Sequence, residues 1–124
     1  MIGTTGSKCG TVSKNSKNKG SGGEREIVKY LQEHGFEAER TLFQPDPENP
    51  RPDVRTNINH TSWEVKRVEK LNIWAAMAQA EKASKDKENP VVAFRRNREP
   101  WHVAIDLDYY LELVKKANET NEFF

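Results

Sequence analysis

Between Asp53 and Ile105 the apolar residues change their spacing, and this change limits the fold more than any other feature of the chain. Ser62 to Val68 alternates with period two, with Trp63, Val65 and Arg67 on one face and Glu64, Lys66 and Val68 on the other. Leu71 to Lys85 then reads as a helix with Leu71, Trp74, Ala75 and Ala78 on its buried stripe, ended by Asn89-Pro90. Two short strands follow, Val91 to Phe94 and Trp101 to Ile105, joined by the basic loop Arg95-Arg96-Asn97-Arg98. Strands interleaved with helices predict a sheet with helices packed on it, an α/β or α+β arrangement.

The flanking segments complete the order. Ser21-Gly22-Gly23-Glu24 has the pattern of a capping box and predicts a helix start at Ser21. Ile27, Val28 and Leu31 continue that helix, and Gly35 stops it. Phe36 to Phe43 leans to extended backbone. Gln44 to Pro52 holds four prolines and reads as a loop. Asp53 to Thr56 reads as a short strand and Asn57 to Thr61 as a turn. Asp106 is placed to cap a last helix bearing Leu107, Tyr110, Leu111 and Val114. The expected order is α-β-β-β-α-β-β-α.

Composition narrows the class. With 35% hydrophobic and 31% charged residues in a 124-residue chain, one domain with a small core is expected, and a dimer interface or ligand shares its stabilisation. No apolar run approaches 18 residues and no apolar leader is visible, so a cytoplasmic protein is the expectation. The single cysteine, Cys9, excludes a disulfide framework and a multi-cysteine zinc site. No glycine occurs after Gly35, which removes Rossmann and P-loop cradles from most of the chain and leaves no organic cofactor implied. The net charge of +1 conceals an asymmetry: residues 1–22 carry four lysines (Lys8, Lys14, Lys17 and Lys19) and no acid. That stretch lacks aromatics and reads as a flexible basic arm, residues 1–19, ahead of a domain at 20–124, with nucleic acid as a natural partner.

The chemistry sits on one hairpin. Pro52-Asp53 opens one strand, and Glu64-Val65-Lys66 follows on the next. Period two puts Glu64 and Lys66 on one face, and a tight turn brings Asp53 beside them. Two carboxylates with open positions suit Mg²⁺, which keeps several waters. A lysine beside such an ion can orient the attacking water or neutralise charge in phosphodiester hydrolysis. The same three residues also make an ordinary cross-strand ion pair, worth about 0.2–1 kcal/mol, and the bare pattern does not separate the two.

Taken together the motifs resemble those of the PD-(D/E)xK nuclease superfamily, and within it the small Holliday-junction resolvases of archaea and their viral relatives. Lys19-Gly20-Ser21-Gly22-Gly23-Glu24-Arg25, running on to His34-Gly35-Phe36, is similar to the opening helix of that family. Pro52-Asp53 and Glu64-Val65-Lys66 match its acidic motifs, and Gln79-Ala80-Glu81 its following helix. The resemblance implies a restriction-endonuclease-like α/β fold, a mixed central sheet flanked by helices. It implies that Asp53 and Glu64 are central metal ligands, with Glu24 helping directly or through water and the Val65 carbonyl available. Lys66 would be the catalytic lysine, Gln79 would support the site, and Arg25 would hold phosphate.

The expected function is structure-selective cleavage of four-way DNA junctions with Mg²⁺, Mn²⁺ substituting, by a homodimer acting on cellular or viral DNA. Lys14, Lys17 and Lys19 of the arm and Arg95, Arg96 and Arg98 of the loop are the other expected DNA contacts. One departure stands out: Gln44 to Arg51 holds two acids and one base where the family carries a Ser- and Lys/Arg-rich loop. A flap, nick or duplex-end nuclease, or a non-catalytic DNA-binding relative, is the alternative this leaves.

Overall fold

The computed structural model describes residues 12–42 and 48–120, with side chains for 22–42 and 48–119. Eight elements follow one another: α1 (Val12–Glu33), β1 (Ala38–Arg40), β2 (Val54–Thr56), β3 (Thr61–Arg67), α2 (Ile73–Ala83), β4 (Asn89–Arg95), β5 (His102–Ala104) and α3 (Leu107–Thr120). This is the order expected from the sequence. The five strands form one sheet in the order β1-β2-β3-β4-β5. Among these strands only β3 and β4 are parallel, from Thr61↔Asn89 to Arg67↔Arg95, because α2 carries the chain back between them. The other neighbours are antiparallel, so the sheet is mixed.

Alternation along β3 divides the core as expected. Trp63 and Val65 join Ile27 and Leu31 of α1 and Val54, Val91 and Ala93 of the sheet in one buried cluster. Trp63 is therefore core, its indole Nε1–H donating to Thr61 Oγ1 at 2.9 Å. Trp101 is half-buried against the same cluster. Val92, on the opposite face, packs with Ala76 and Ala80 of α2.

Several expectations change. α1 begins at Val12, so Ser21 lies inside the helix and cannot cap it. Residues 12–19, expected in a flexible arm, are helical; residues 1–11, with Cys9, lie outside the described residues. The buried row of α2 is Ala76, Ala80 and Ala83; of the expected stripe, Leu71, just before the helix, packs against this row, whereas Trp74, Ala75 and Ala78 are exposed. Small side chains at i, i+4 and i+7 let the helix lie close on the sheet, and Trp74 then falls on the outer surface, 82% exposed. On α3, Leu107, Tyr110 and Leu111 are exposed, and Tyr109 packs inward instead. Finally, Pro90 lies in β4 rather than only ending α2. It is tolerated because β5 reaches only Val92 to Phe94, leaving Pro90 without a strand neighbour on that side among the described residues.

The helix stop at Gly35 is as expected. Gly35 has φ 91°, and Phe36 N–H donates to the Leu31 carbonyl at 3.0 Å while Gly35 N–H donates to Gln32 at 3.0 Å. The last helix of the described chain begins after Asp106, whose carbonyl accepts from Tyr110 N–H at 3.0 Å. No helix among the described residues is long and apolar enough to cross a membrane.

Candidate active site

Asp53 sits where β2 and β3 part. The two strands share the pair Val54↔Trp63. Next to it, Asp53 N–H donates to the Trp63 carbonyl at 2.9 Å, and Thr41 N–H donates to the Asp53 carbonyl at 3.0 Å. The side chain continues where the ladder stops: Asp53 Oδ2 accepts from Val65 N–H at 2.9 Å. A carboxylate thus replaces a strand as the partner of that amide. Asp53 is fixed by backbone on both sides and by side chain on β3, which explains why a residue after proline can be placed so firmly.

Glu64 and Lys66 share a face of β3, as the alternation requires. The Lys66 Nζ lies 3.7 Å from Glu64 Oε2, and the Glu64 side chain is only 9% exposed. Burial raises the pKa of Glu64 most, the neighbouring Asp53 charge raises it further, and Lys66 opposes both, leaving it at about 7. Asp53 is also raised by burial, against the lowering effects of the Val65 amide and Lys66. The two carboxyls thus face each other's charge across the strand pair, and both titrate above the ordinary carboxylate range. The three residues that the sequence predicts to converge do so, and their packing adds an acid that stays protonated near neutrality.

Glu24 approaches from α1. Burial and then the Asp53 charge raise its pKa, and Arg40 lowers it. Its Oε1 accepts from Arg40 Nε at 3.2 Å. Arg40 was not among the expected site residues. It stands in a three-residue strand with no distinguishing pattern, and only the register Arg40↔Val54 places it next to Asp53. Among the described residues no group of three or more acidic, histidine or cysteine side chains is gathered to hold a metal. The close pair is Asp53 with Glu64. Two buried carboxyls whose charges are disfavoured by burial and by each other are chemically suited to a hard dication, which favours their ionised forms.

The other expected residues separate. Gln79 is exposed on α2 and hydrogen-bonds to neither acid among the described residues. Arg25 is exposed on α1 beside Glu24, whose charge it helps to stabilise. In the loop after β4, Arg96 and Arg98 are exposed, but Arg95 is not offered to phosphate. Its guanidinium Nη1 is engaged by Glu26 Oε2 of α1, so the DNA contact expected of Arg95 gives way to an internal ion pair. Lys14, Lys17 and Lys19 lie on helical backbone within α1, and their side chains are outside the described residues. His60 is an exposed turn residue at φ 62°, its carbonyl accepting from Asn89 N–H at 2.7 Å.

Comparison with known proteins agrees with this arrangement. Residues 15–117 match the model of the archaeal Holliday junction resolvase (Hjc) family. No curated protein matches the chain. Among solved structures, the chain is similar to Hjc of Archaeoglobus fulgidus, a Holliday junction resolvase from an archaeal hyperthermophile. The TM-score is 0.57 at 21% identity, covering 69% of this chain and 76% of that one. That likeness is one of fold, and the family match spans most of the sequence, from within α1 to within α3. The chain belongs to the archaeal Holliday junction resolvase family.

Proposed function

We propose that the chain resolves four-way DNA junctions by metal-dependent hydrolysis, with Asp53, Glu64 and Glu24 holding Mg²⁺ and Lys66 acting on the attacking water. The observation that carries this reading is the convergence on β3 of Asp53, held by the Val65 amide at 2.9 Å, with buried Glu64 and the Lys66 ammonium 3.7 Å from it. Mg²⁺, or Mn²⁺ in its place, supplies Lewis-acid polarisation of the phosphoryl oxygen when bound. The remaining work belongs to the chain. Asp53 and Glu64, in their ionised forms, would present two hard oxygen ligands. The Val65 carbonyl is available nearby on the same strand. Lys66 donates toward the water or the phosphate oxygens, offsetting charge as the new oxygen–phosphorus bond forms and the bond to the leaving sugar oxygen breaks. Arg40 holds Glu24 on the side of the site where β1 pairs with β2.

Calorimetric titration tests the metal reading. Wild type is expected to bind Mg²⁺ or Mn²⁺ in a process that releases protons near pH 7, and Asp53→Asn is expected to lose at least about tenfold in affinity. No binding by wild type, or equal binding by the variant, contradicts it.

Arg25, Arg96 and Arg98, with Lys14, Lys17 and Lys19 along α1, supply the phosphate contacts in this reading. Replacing Arg96 and Arg98 together by alanine is expected to weaken junction binding. The slope of log K against log[salt] should flatten by about 0.9 for each phosphate that is no longer neutralised. An unchanged slope would remove the loop from the DNA interface.

Symmetric resolution needs two cuts related by a twofold axis, and a homodimer provides one site for each. The exposed apolar side chains of β5 and α3 support it: Val103 at 53%, Leu107 at 68% and Leu111 at 50% exposure. Leu107→Asp is expected to shift the mass measured by light scattering from dimer to monomer and to abolish paired cutting. A wild-type protein that is monomeric at micromolar concentration and on DNA would contradict the dimer. The site of action is DNA in the cytoplasm, cellular or viral.

A further inference from the structure

We infer that Glu26 is a positioning residue for the reaction: its carboxylate joins Arg67 and Arg95 and thereby sets the rotation of α1 at which Glu24 reaches Arg40, on the strand beside Asp53. The inference rests on the metal role proposed for Glu24, Asp53 and Glu64.

Arg67 and Arg95 are the last residues of β3 and β4 and stand opposite each other in the parallel register. Two cations side by side on one face repel. Glu26 answers both: its Oε1 accepts from Arg67 Nε at 3.3 Å, and its Oε2 takes Arg95 Nη1. The three side chains are 35%, 17% and 24% exposed, so the attraction is only partly screened by water.

The same helix grips Arg67 at its other end. A Cβ added at Gly23 would lie 2.6 Å from Arg67 Cβ, closer than real side chains approach. Gly23 and Glu26 are three residues apart and so lie on one face of α1. Gly23 therefore fixes how deep the helix sits on the stem of Arg67, and Glu26 fixes its rotation through the head of Arg67 and Arg95. Glu24 lies between these two anchors. With a side-chain radius of about 5–6 Å, a rotation of about 20° carries its carboxylate about 2 Å. Displacements near 1 Å are enough to cost about a hundredfold in rate when they misplace reacting groups.

The connection runs further on β3. Arg67 follows Lys66 directly, and its Nη2 donates to Asn97 Oδ1 at 2.9 Å in the loop that carries Arg96 and Arg98. Asn97 N–H in turn donates to Glu69 Oε2 at 2.9 Å. One carboxylate thus links the helix bearing Glu24, the strand bearing Lys66 and the arginine loop, although it faces none of the reacting atoms.

The test uses Glu26→Gln, which keeps shape and hydrogen bonding but removes the charge, and Arg95→Gln, which opens the same link from the strand. Each is expected to raise the Mg²⁺ concentration for half-maximal cleavage by about tenfold and to lower kcat. The metal affinity measured by calorimetry without DNA should fall in parallel, and the KM for junction DNA should stay within about twofold of wild type for Glu26→Gln. In a Glu24→Gln background, Glu26→Gln is expected to add nothing further to either loss, because its effect passes through Glu24. A merely structural role would lower the melting temperature and multiply with Glu24→Gln; that outcome, or a metal requirement unchanged in Glu26→Gln, overturns the inference while leaving the nuclease reading intact. A wild-type protein that binds no metal and cuts no DNA overturns the nuclease reading and this inference with it.

Discussion

Glu64→Gln is expected to lower turnover on four-way junctions by at least about a thousandfold, while the Kd for junction DNA stays within about twofold of wild type. Glutamine keeps the shape of Glu64 and can still accept from Lys66, so the change is confined to one negative charge. A loss of a thousandfold corresponds to about 4 kcal/mol of transition-state stabilisation, in the range seen when a principal electrostatic group is removed. Binding should persist because a carboxylate in the site repels phosphate and contributes no attraction to it. Single-turnover cleavage and equilibrium binding of the same labelled junction separate the two quantities. A parallel loss of both would assign Glu64 to the fold instead of to the reaction.

The second large effect is on stability, and its sign follows from the direction of the pKa shift. Glu64 in the folded protein titrates at about 7, against 4.5 for the unperturbed group. The native state therefore holds this proton more tightly than the unfolded chain does. Its contribution is fully present below about pH 4.5 and is lost as the pH rises through 7. The burial of Asp53 and Glu24 acts in the same direction, since both are raised. For Glu64 alone the difference amounts to about 3 kcal/mol, at about 1.4 kcal/mol for each pH unit of displacement. In a domain of this size that is a fall in Tm of roughly 10 °C or more. Metal-free wild type should show this fall between pH 5 and pH 8, and Glu64→Gln should escape most of it. Saturating Mg²⁺ should restore the wild-type Tm at pH 8, because an ion that binds only the native state stabilises it. A wild-type Tm that follows that of Glu64→Gln across this range in EDTA would show that neither burial nor the Asp53 charge raises Glu64 in the folded chain.

The central pair of acids is legible in the sequence because it depends on rules that act over a few residues. Period two puts Glu64 and Lys66 on one face, and the four-residue turn between Thr56 and Thr61 fixes where Asp53 returns to β3. Element order is legible for the same reason. What escapes depends on packing between distant segments. Trp74 has the hydrophobicity of a core residue, but the row of α2 that meets Val92 is Ala76 and Ala80, flanked by Ile73 and Met77, and Trp74 falls outside it. Arg95 has the setting of a phosphate ligand until its neighbour in space, Glu26, is brought in by the packing of α1. Arg40 carries no local signal, and it becomes a site residue only through the pairing of β1 with β2. The start of α1 is misplaced by local rules because Ser21 and Glu24 have capping-box spacing, yet the residues before them already continue the helix. The apolar stripe of α3 has the pattern of a core face, and in one chain much of it remains exposed. Periodicity identifies an apolar face without saying whether this chain or a second copy covers it.

The measurement that bears most directly on the central claim is cleavage of an end-labelled, immobile four-way junction in Mg²⁺. Linear duplex and flap DNA are run beside it, with Glu64→Ala as control. Paired cuts placed symmetrically across the branch point, on the junction alone and absent from the control, are the expected result. Cutting of flap or duplex in preference to the junction would contradict the claim of junction selectivity while keeping the site. Tight, metal-independent binding with no cutting of any substrate would contradict the claim that Asp53, Glu64 and Lys66 form a nuclease centre.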